Sequence, residues 1–233
     1  VYYIGQLHEV LKMLTTTIYK KNIHDLNEYK FQILKNSTNK KLGKKVTKGK
    51  YINYKFKTLT LVERETCPPD CYHWNNCYGN NMPFAHRISN NDQNLLQKRI
   101  YDELLNSTNQ LLLIRLHILG DFFNVKYVKF WSIMLNTFKN IAIYGYTANN
   151  INSNFKISRD IAREIIKLNY SENSHIRFSN DLKNKFSANS YDVVKPIKGE
   201  SILCPVQEDK TDNCGTCGLC WNQKTQPIIF KTH

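Results

Sequence analysis

Apolar residues near the start of the chain recur at helical spacing: Ile4, Leu7, Val10, Leu11, Leu14 and Ile18. This predicts a helix over residues 3–34, ended by the polar run Asn36, Ser37, Thr38 and Asn39. Beyond residue 57 the pattern changes. Short apolar runs at 58–62, 111–119, 141–146, 175–178 and 201–206 predict strands. Longer amphipathic stretches at 94–105, 125–138 and 157–168 predict helices between them. Strands alternating with helices of this length imply an α/β fold with a parallel sheet, open or partly closed into an irregular (β/α) barrel. Such sheets carry their chemistry at the carboxyl ends of the strands. Three segments result: 1–57, an N-terminal helix with a lysine-rich link; 58–200, the α/β core; and 201–233, a cysteine-rich, metal-binding end.

The link supplies Lys40, Lys41, Lys44, Lys45, Lys48, Lys50, Lys55 and Lys57 without an acid among them, interleaved with Tyr51, Tyr54 and Phe56. Cations and rings in this arrangement suit a nucleic-acid strand, through phosphate contacts and base stacking. A solvated loop leading into a strand explains them equally well. Over all 233 residues, 33 Lys and Arg against 19 Asp and Glu give a formal charge of +14. That excess favours an anionic partner, DNA or RNA first, with a nucleobase- or nucleoside-like small molecule as a further candidate. No apolar run reaches the roughly 20 residues of a membrane span, so no membrane partner is expected. The chain starts at Val1 rather than a methionine, which leaves room for a preceding segment.

The seven cysteines fall into two groups. Cys67, Cys71 and Cys77 form the first. Cys204 with Cys214, Cys217 and Cys220 forms the second. An odd total in clusters of three and four is poor arithmetic for disulfides and fits metal ligation in a reducing, cytoplasmic setting, host cytoplasm if the protein is viral. The second group makes a complete four-thiolate set for zinc or for a [4Fe–4S] cluster, and His233 is a candidate replacement for one thiolate. The first group leaves one position of a metal centre open unless His73 or His86 closes it. It also follows the first predicted core strand, at the rim where a parallel sheet keeps its chemistry.

Arg115 and His117 alternate with apolar residues on a predicted strand, which places them on one face. Asp121 follows Gly120 at the end of that strand. There it would serve as nucleophile, general base or substrate anchor, with His117 and Arg115 around it. A buried Arg115–Asp121 ion pair beside a core histidine is the structural alternative. Tyr144, Tyr146 and Thr147 end the next strand and are candidates for binding substrate beside Asp121, as Lys44 and Lys45 are for gripping phosphates.

These motifs resemble a known family. Cys67, Cys71 and Cys77-Tyr78, then Arg115-x-His117-x-x-Gly120-Asp121-Phe122-Phe123, then Tyr144-Gly145-Tyr146-Thr147, then Cys204-Pro205 and Cys214-x-x-Cys217-Gly218-x-Cys220-Trp221 follow the order of the phage gene product 88 family. The resemblance covers roughly 58–233, with Ile118-Leu119 where that family is expected to carry Asp-Ser. The first triad is similar to radical S-adenosylmethionine enzymes, which implies a four-iron cluster with S-adenosylmethionine on the open iron. Its spacing departs, with five residues before the third cysteine. An Asp on a barrel strand with a cysteine-rich end is similar to the tRNA-guanine and DNA 7-deazaguanine transglycosylases.

Three functions follow as expectations. The first is a base-exchanging transferase on DNA or tRNA with Asp121 as its carboxylate. The second is radical iron–sulfur chemistry at Cys67, Cys71 and Cys77. The third is a non-catalytic nucleic-acid-binding metalloprotein.

Overall fold

A computed structural model describes residues 15–222 and 226–231. Eight strands form one sheet: β2 (Lys35–Asn36), β3 (Lys55–Thr58), β5 (Leu112–Leu116), β6 (Ile141–Thr147), β7 (Ser174–Ser179), β8 (Ser187–Ser190), β9 (Ile202–Leu203) and β10 (Ile228–Phe230). Their spatial order is β2-β3-β5-β6-β7-β8-β10-β9, and every pairing is parallel except β2 with β3. The sheet is open, with β2 and β9 at its edges, so the barrel alternative gives way to the open one. Two further strands, β1 (Ile23–His24) and β4 (Arg87–Ile88), pair apart from it.

Helices α1 (Gln93–Leu105), α2 (Val125–Thr137) and α3 (Lys156–Leu168) connect this series. Strands laid side by side in chain order, each crossover of the same hand, put these helices on one face of the sheet. Residue alternation then divides the strands. Leu112, Ile114, Leu116, Ile141, Ile143, Ile176 and Phe178 pack under the helices against Trp131, Tyr127, Ile161 and Ile165. Leu113, Ala142 and Tyr144 face the other way.

The second face is covered by chain that sequence pattern assigned to a link. Leu42, Val46 and Tyr51 are buried there against Phe56 of β3, with Trp221. The lysine-rich segment is therefore a strap across the sheet. The rings of Tyr51 and Phe56 are spent on packing and are not free to stack on bases. Lys40, Lys41, Lys44, Lys45, Lys48 and Lys50 remain exposed along it.

The strap also holds the last short helices, α4 (Cys214–Cys217) and α5 (Leu219–Asn222). Cys214 N donates to Lys41 O at 2.8 Å, and Thr47 N donates to Gly215 O at 3.0 Å. A Cβ on Gly215 would meet Lys45 O at 2.3 Å, so only glycine permits this approach. From the sheet side, buried Arg177 donates to Gln226 O at 2.9 Å and to Cys220 O at 3.3 Å.

The helix expected over 3–34 lies partly outside the described residues. From Thr15 onward the segment makes turns, a 3-10 turn at Lys20–Asn22 and β1, not a helix. Tertiary contacts replace the helical bonds: Arg99 donates to Leu26 O and Tyr29 O, and Glu103 accepts from Ile33 N and Leu34 N. The backbone groups are satisfied by α1 side chains, so propensity is overridden. No helix among the described residues is long and apolar enough to cross a membrane.

Candidate functional site

The polar rim of the second face encloses a cavity of about 400 Å³. Arg115, Tyr144 and Tyr146 form its floor, from β5 and β6. Ser179, Asn180, Asn189 and Ser190 extend it under the ends of β7 and β8. One wall is the first cysteine loop, through His73, Asn76, Tyr78 and Asn81. The opposite wall is the second cysteine set, through Cys204, Cys214 and Cys220, with Lys41 of the strap. The cavity thus lies between the two cysteine segments, on the face without the large helices.

All seven cysteines are free thiols. In the first set, burial pushes Cys67 well up and Cys71 up to about 12, and Cys77 is raised for the same reason. The neighbouring thiols and the Asp121 carboxylate push Cys67 and Cys71 further in the same direction. In the second set burial again dominates, raising Cys204 and Cys220 and taking Cys214 to about 12, with repulsion between the thiolates added. Among the described residues, no three His, Cys, Asp or Glu side chains stand close enough to enclose an ion as placed. The donor chemistry nonetheless fits one. Clustered thiols that oppose one another's ionisation are the groups a soft cation would deprotonate and draw together.

His73 and His86 have other partners. His73 Nε2 lies 2.6 Å from Ser190 Oγ, and His86 Nδ1 lies 2.7 Å from His24 Nε2. Neither is turned to the first thiols as a fourth ligand. His233 lies outside the described residues.

Arg115 and His117 do not share a face. β5 ends at Leu116, and the alternation ends with it. Arg115 points into the cavity, its guanidinium 5.8 Å from the Tyr146 ring centroid. His117 points under the helices, against Phe122 and Tyr127, with Nε2 3.2 Å from the Tyr127 hydroxyl.

Burial drives the His117 pKa down to about 3 from its ordinary 6.5. The unfolded chain takes up this proton below about pH 6.5, and the folded chain only near pH 3. The stability His117 contributes is therefore complete above pH 6.5 and lost as pH falls through that window, at about 1.4 kcal/mol per unit. Urea midpoints between pH 6.5 and 3.5 should fall less steeply for His117→Asn than for the wild type.

Asp121 is buried and is not part of the cavity wall. Its Oδ1 accepts from Phe122 N and its Oδ2 from Ala148 N, each at 2.6 Å. Its own amide donates to Thr66 Oγ1, in the turn before Cys67, at 3.1 Å. Preceding it, Gly120 has φ +79°, and a Cβ there would strike Thr66 Oγ1 at 2.5 Å. Burial raises the Asp121 carboxyl to about 6, against hydrogen bonds from Ala148, Thr147, Phe122 and Asn149 that favour the anion. Asp121 therefore braces the cysteine loop to the ends of β5 and β6. Thr147 is buried on the same side, accepting from Asn149 N at 3.1 Å. Lys44 and Lys45 lie on the outer surface of the strap, outside the cavity wall.

Sequence reasoning named His73 only as a candidate metal ligand, Tyr78 only within a motif and Ser179 only as a strand-end residue, and it missed Asn76, Asn81, Asn180, Asn189 and Ser190 as cavity lining. β8 reads Ser-Ala-Asn-Ser, with no apolar period to mark a strand. The signal available was the position of Tyr78 beside Cys77.

The family model for Gene product 88 matches residues 32–216, well over half the chain. The match includes the strap that the sequence resemblance left outside, and it ends just before Cys217. No curated protein and no solved structure matches.

Proposed function

The chain belongs to the phage gene product 88 family, and on that premise we propose that it is a metal-dependent enzyme whose substrate occupies the cavity between its two cysteine sets. Cys67, Cys71 and Cys77 would hold a centre with one position open to a ligand, because three thiolates leave a four-coordinate site or a four-iron cube incomplete. Cys204, Cys214, Cys217 and Cys220 would hold a second, closed centre. The observation that carries this reading is that a single cavity has the first cysteine loop as one wall and three cysteines of the second set as another.

Of the reactions expected from the sequence, the iron–sulfur one has the better support. Base exchange needs the Asp121 carboxylate at the substrate, yet both of its oxygens are taken by backbone amides and it lies outside the cavity wall. When bound, a [4Fe–4S] cluster with one free iron would supply an electron to S-adenosylmethionine. The chain's own residues would do the rest. Arg115 and Lys41 would attract an anionic substrate, the rings of Tyr144 and Tyr146 would shape its bed, and the strap above would exclude water. The strap's exposed lysines, Lys41 of them at the cavity wall, support DNA or RNA as the macromolecular partner.

Anoxically purified, reduced protein should cleave S-adenosylmethionine to 5′-deoxyadenosine, and Cys71→Ser should fall to the enzyme-free rate. Zinc without iron in such a preparation, with no cleavage, would remove the iron–sulfur reading. Labelled-guanine exchange abolished by Asp121→Asn would restore the transglycosylase one.

A further inference from the structure

The cysteines of the second set, Cys204, Cys214, Cys217 and Cys220, all line one small cavity beside the large one. Three side chains approach this set from neighbouring strands of the sheet. Arg115 of β5 and Tyr144 of β6 are register partners, as are Tyr146 of β6 and Arg177 of β7. By alternation Arg115, Tyr146 and Arg177 therefore share one face, with Tyr146 on the middle strand. The Tyr146 hydroxyl lies 3.0 Å from Cys220 Sγ, and its ring centroid lies 5.8 Å from the Arg115 guanidinium. Arg177 is buried and donates to Leu219 O and Cys220 O, the backbone that carries the last thiol.

Charge explains the grouping. Four thiolates around a divalent ion, or around an oxidised four-iron core, keep a net double negative charge. Burying such a charge is costly unless cations and hydrogen-bond donors stand beside it. Arg115 has no carboxylate partner among the described residues. Burial opposes the charge on Arg177, and the Cys220 thiolate is the first group that favours it. On Arg115, burial is outweighed by Tyr144, Tyr146, Cys214 and Cys220 together. Two guanidiniums thus match the charge of one such centre. A cysteine bound to metal carries no proton, so the Tyr146 hydroxyl is the donor in its bond to sulfur. A donor placed just behind a ligand fixes that ligand's orientation and tunes its basicity.

We propose that Tyr146 is the positioning residue of the second centre, donating to the Cys220 thiolate, and that Arg115 and Arg177 are the centre's counter-charges. This rests on the second set holding a metal and goes beyond that reading by naming the groups that steady it. Arg115 and Tyr146 also floor the large cavity, so the side chains that hold the closed centre shape the substrate bed too.

Chelator removal of metal from the anoxically purified full-length chain tests it, with Cys67→Ala in every sample so that the second centre is the one read. Iron, zinc and sulfide are counted first. The sulfur-to-metal charge-transfer absorption is then recorded, on an iron form as purified or on a zinc form after exchange with cobalt(II). Tyr146→Phe should keep the metal count, and half-removal should need about 10–100-fold less chelator, the range for losing an outer partner of a ligand. Its charge-transfer band should move to lower energy, because the hydroxyl proton no longer stabilises the sulfur lone pair; a change in packing alone leaves the band in place. Arg115→Gln should weaken retention, and Arg115→Lys, which keeps the charge, should restore most of it. An unmoved band in Tyr146→Phe overturns the proposal, as does equal loss in Arg115→Gln and Arg115→Lys, which would make Arg115 a packing residue. A Cys67→Ala chain without metal removes the second centre itself, whereas metal held equally by every variant removes only the groups placed around it.

Discussion

Arg87→Met is expected to cost about 3–5 kcal/mol of folding stability, the range seen when one partner of a buried ion pair is removed. Arg87 and Glu63 are 0% and 1% exposed, joined by Nε to Oε2 at 2.7 Å and Nη2 to Oε1 at 3.0 Å. Losing the guanidinium strands the Glu63 carboxylate, which keeps only the Thr17 hydroxyl at 2.6 Å. The effect extends to the site. Arg87 also donates to Gly79 O at 3.1 Å and to Ala85 O at 2.8 Å, tying down the loop that runs on from Cys77 and carries Tyr78 and Asn81 into the cavity wall. Urea unfolding should show the loss, and Glu63→Met combined with Arg87→Met should recover part of it, because the stranded charge is then gone. A single-variant loss below 1 kcal/mol would contradict the brace.

The second large effect is expected from Cys214→Ser. A structural metal site contributes its binding energy to folding, on the order of 10 kcal/mol for zinc in small domains. Here that energy would fasten a segment that is itself part of the core. Trp221 is buried with Phe56 and Tyr144, and Cys220 O and Gln226 O accept from Arg177. In anoxic thermal melts, Cys214→Ser should lose cooperativity or fall in Tm by well over 10 °C, given that about 1 kcal/mol moves the Tm of a domain this size by about 2–4 °C. Cys71→Ser should fall far less, because its loop is braced independently by Arg87, by Asp121 and by Arg64, which donates to Trp74 O at 3.1 Å and to Asn80 Oδ1 at 2.9 Å. Equal melts for the two variants would show that the second set fastens nothing.

The helices were legible through their apolar period, and two of them also begin at a capping side chain, while Phe155 before α3 caps nothing. Asp92 accepts from Leu95 N and Asn124 from Tyr127 N, at the N-caps of α1 and α2. The apolar period then carries each helix to within a residue of its observed end. β5 and β6 were legible as continuous apolar runs, as fits strands covered on both faces. The strand expected at 58–62 is displaced: pairing in the sheet stops at Thr58, and only Leu61 makes a bridge, to Ile88. The strap was illegible because its apolar positions, Leu42, Val46 and Tyr51, follow neither a helical nor a strand period; they are spaced by turns. His117 was misplaced because alternation was carried past the end of β5. The cavity's far rim was hidden because β8 is built from small polar residues, whose partners are supplied across the sheet and by His73.

The clustering of the cysteines was plain in the sequence, and the structure adds the cavity between them. The most direct test of that arrangement is a count of iron, zinc and acid-labile sulfide per chain after anoxic purification, in the wild type, in Cys67→Ala and in Cys204→Ala. Two separate centres predict that each variant loses a different part of the wild-type metal and keeps the rest. A wild type without bound metal, or two variants that lose the same metal together, would contradict the account.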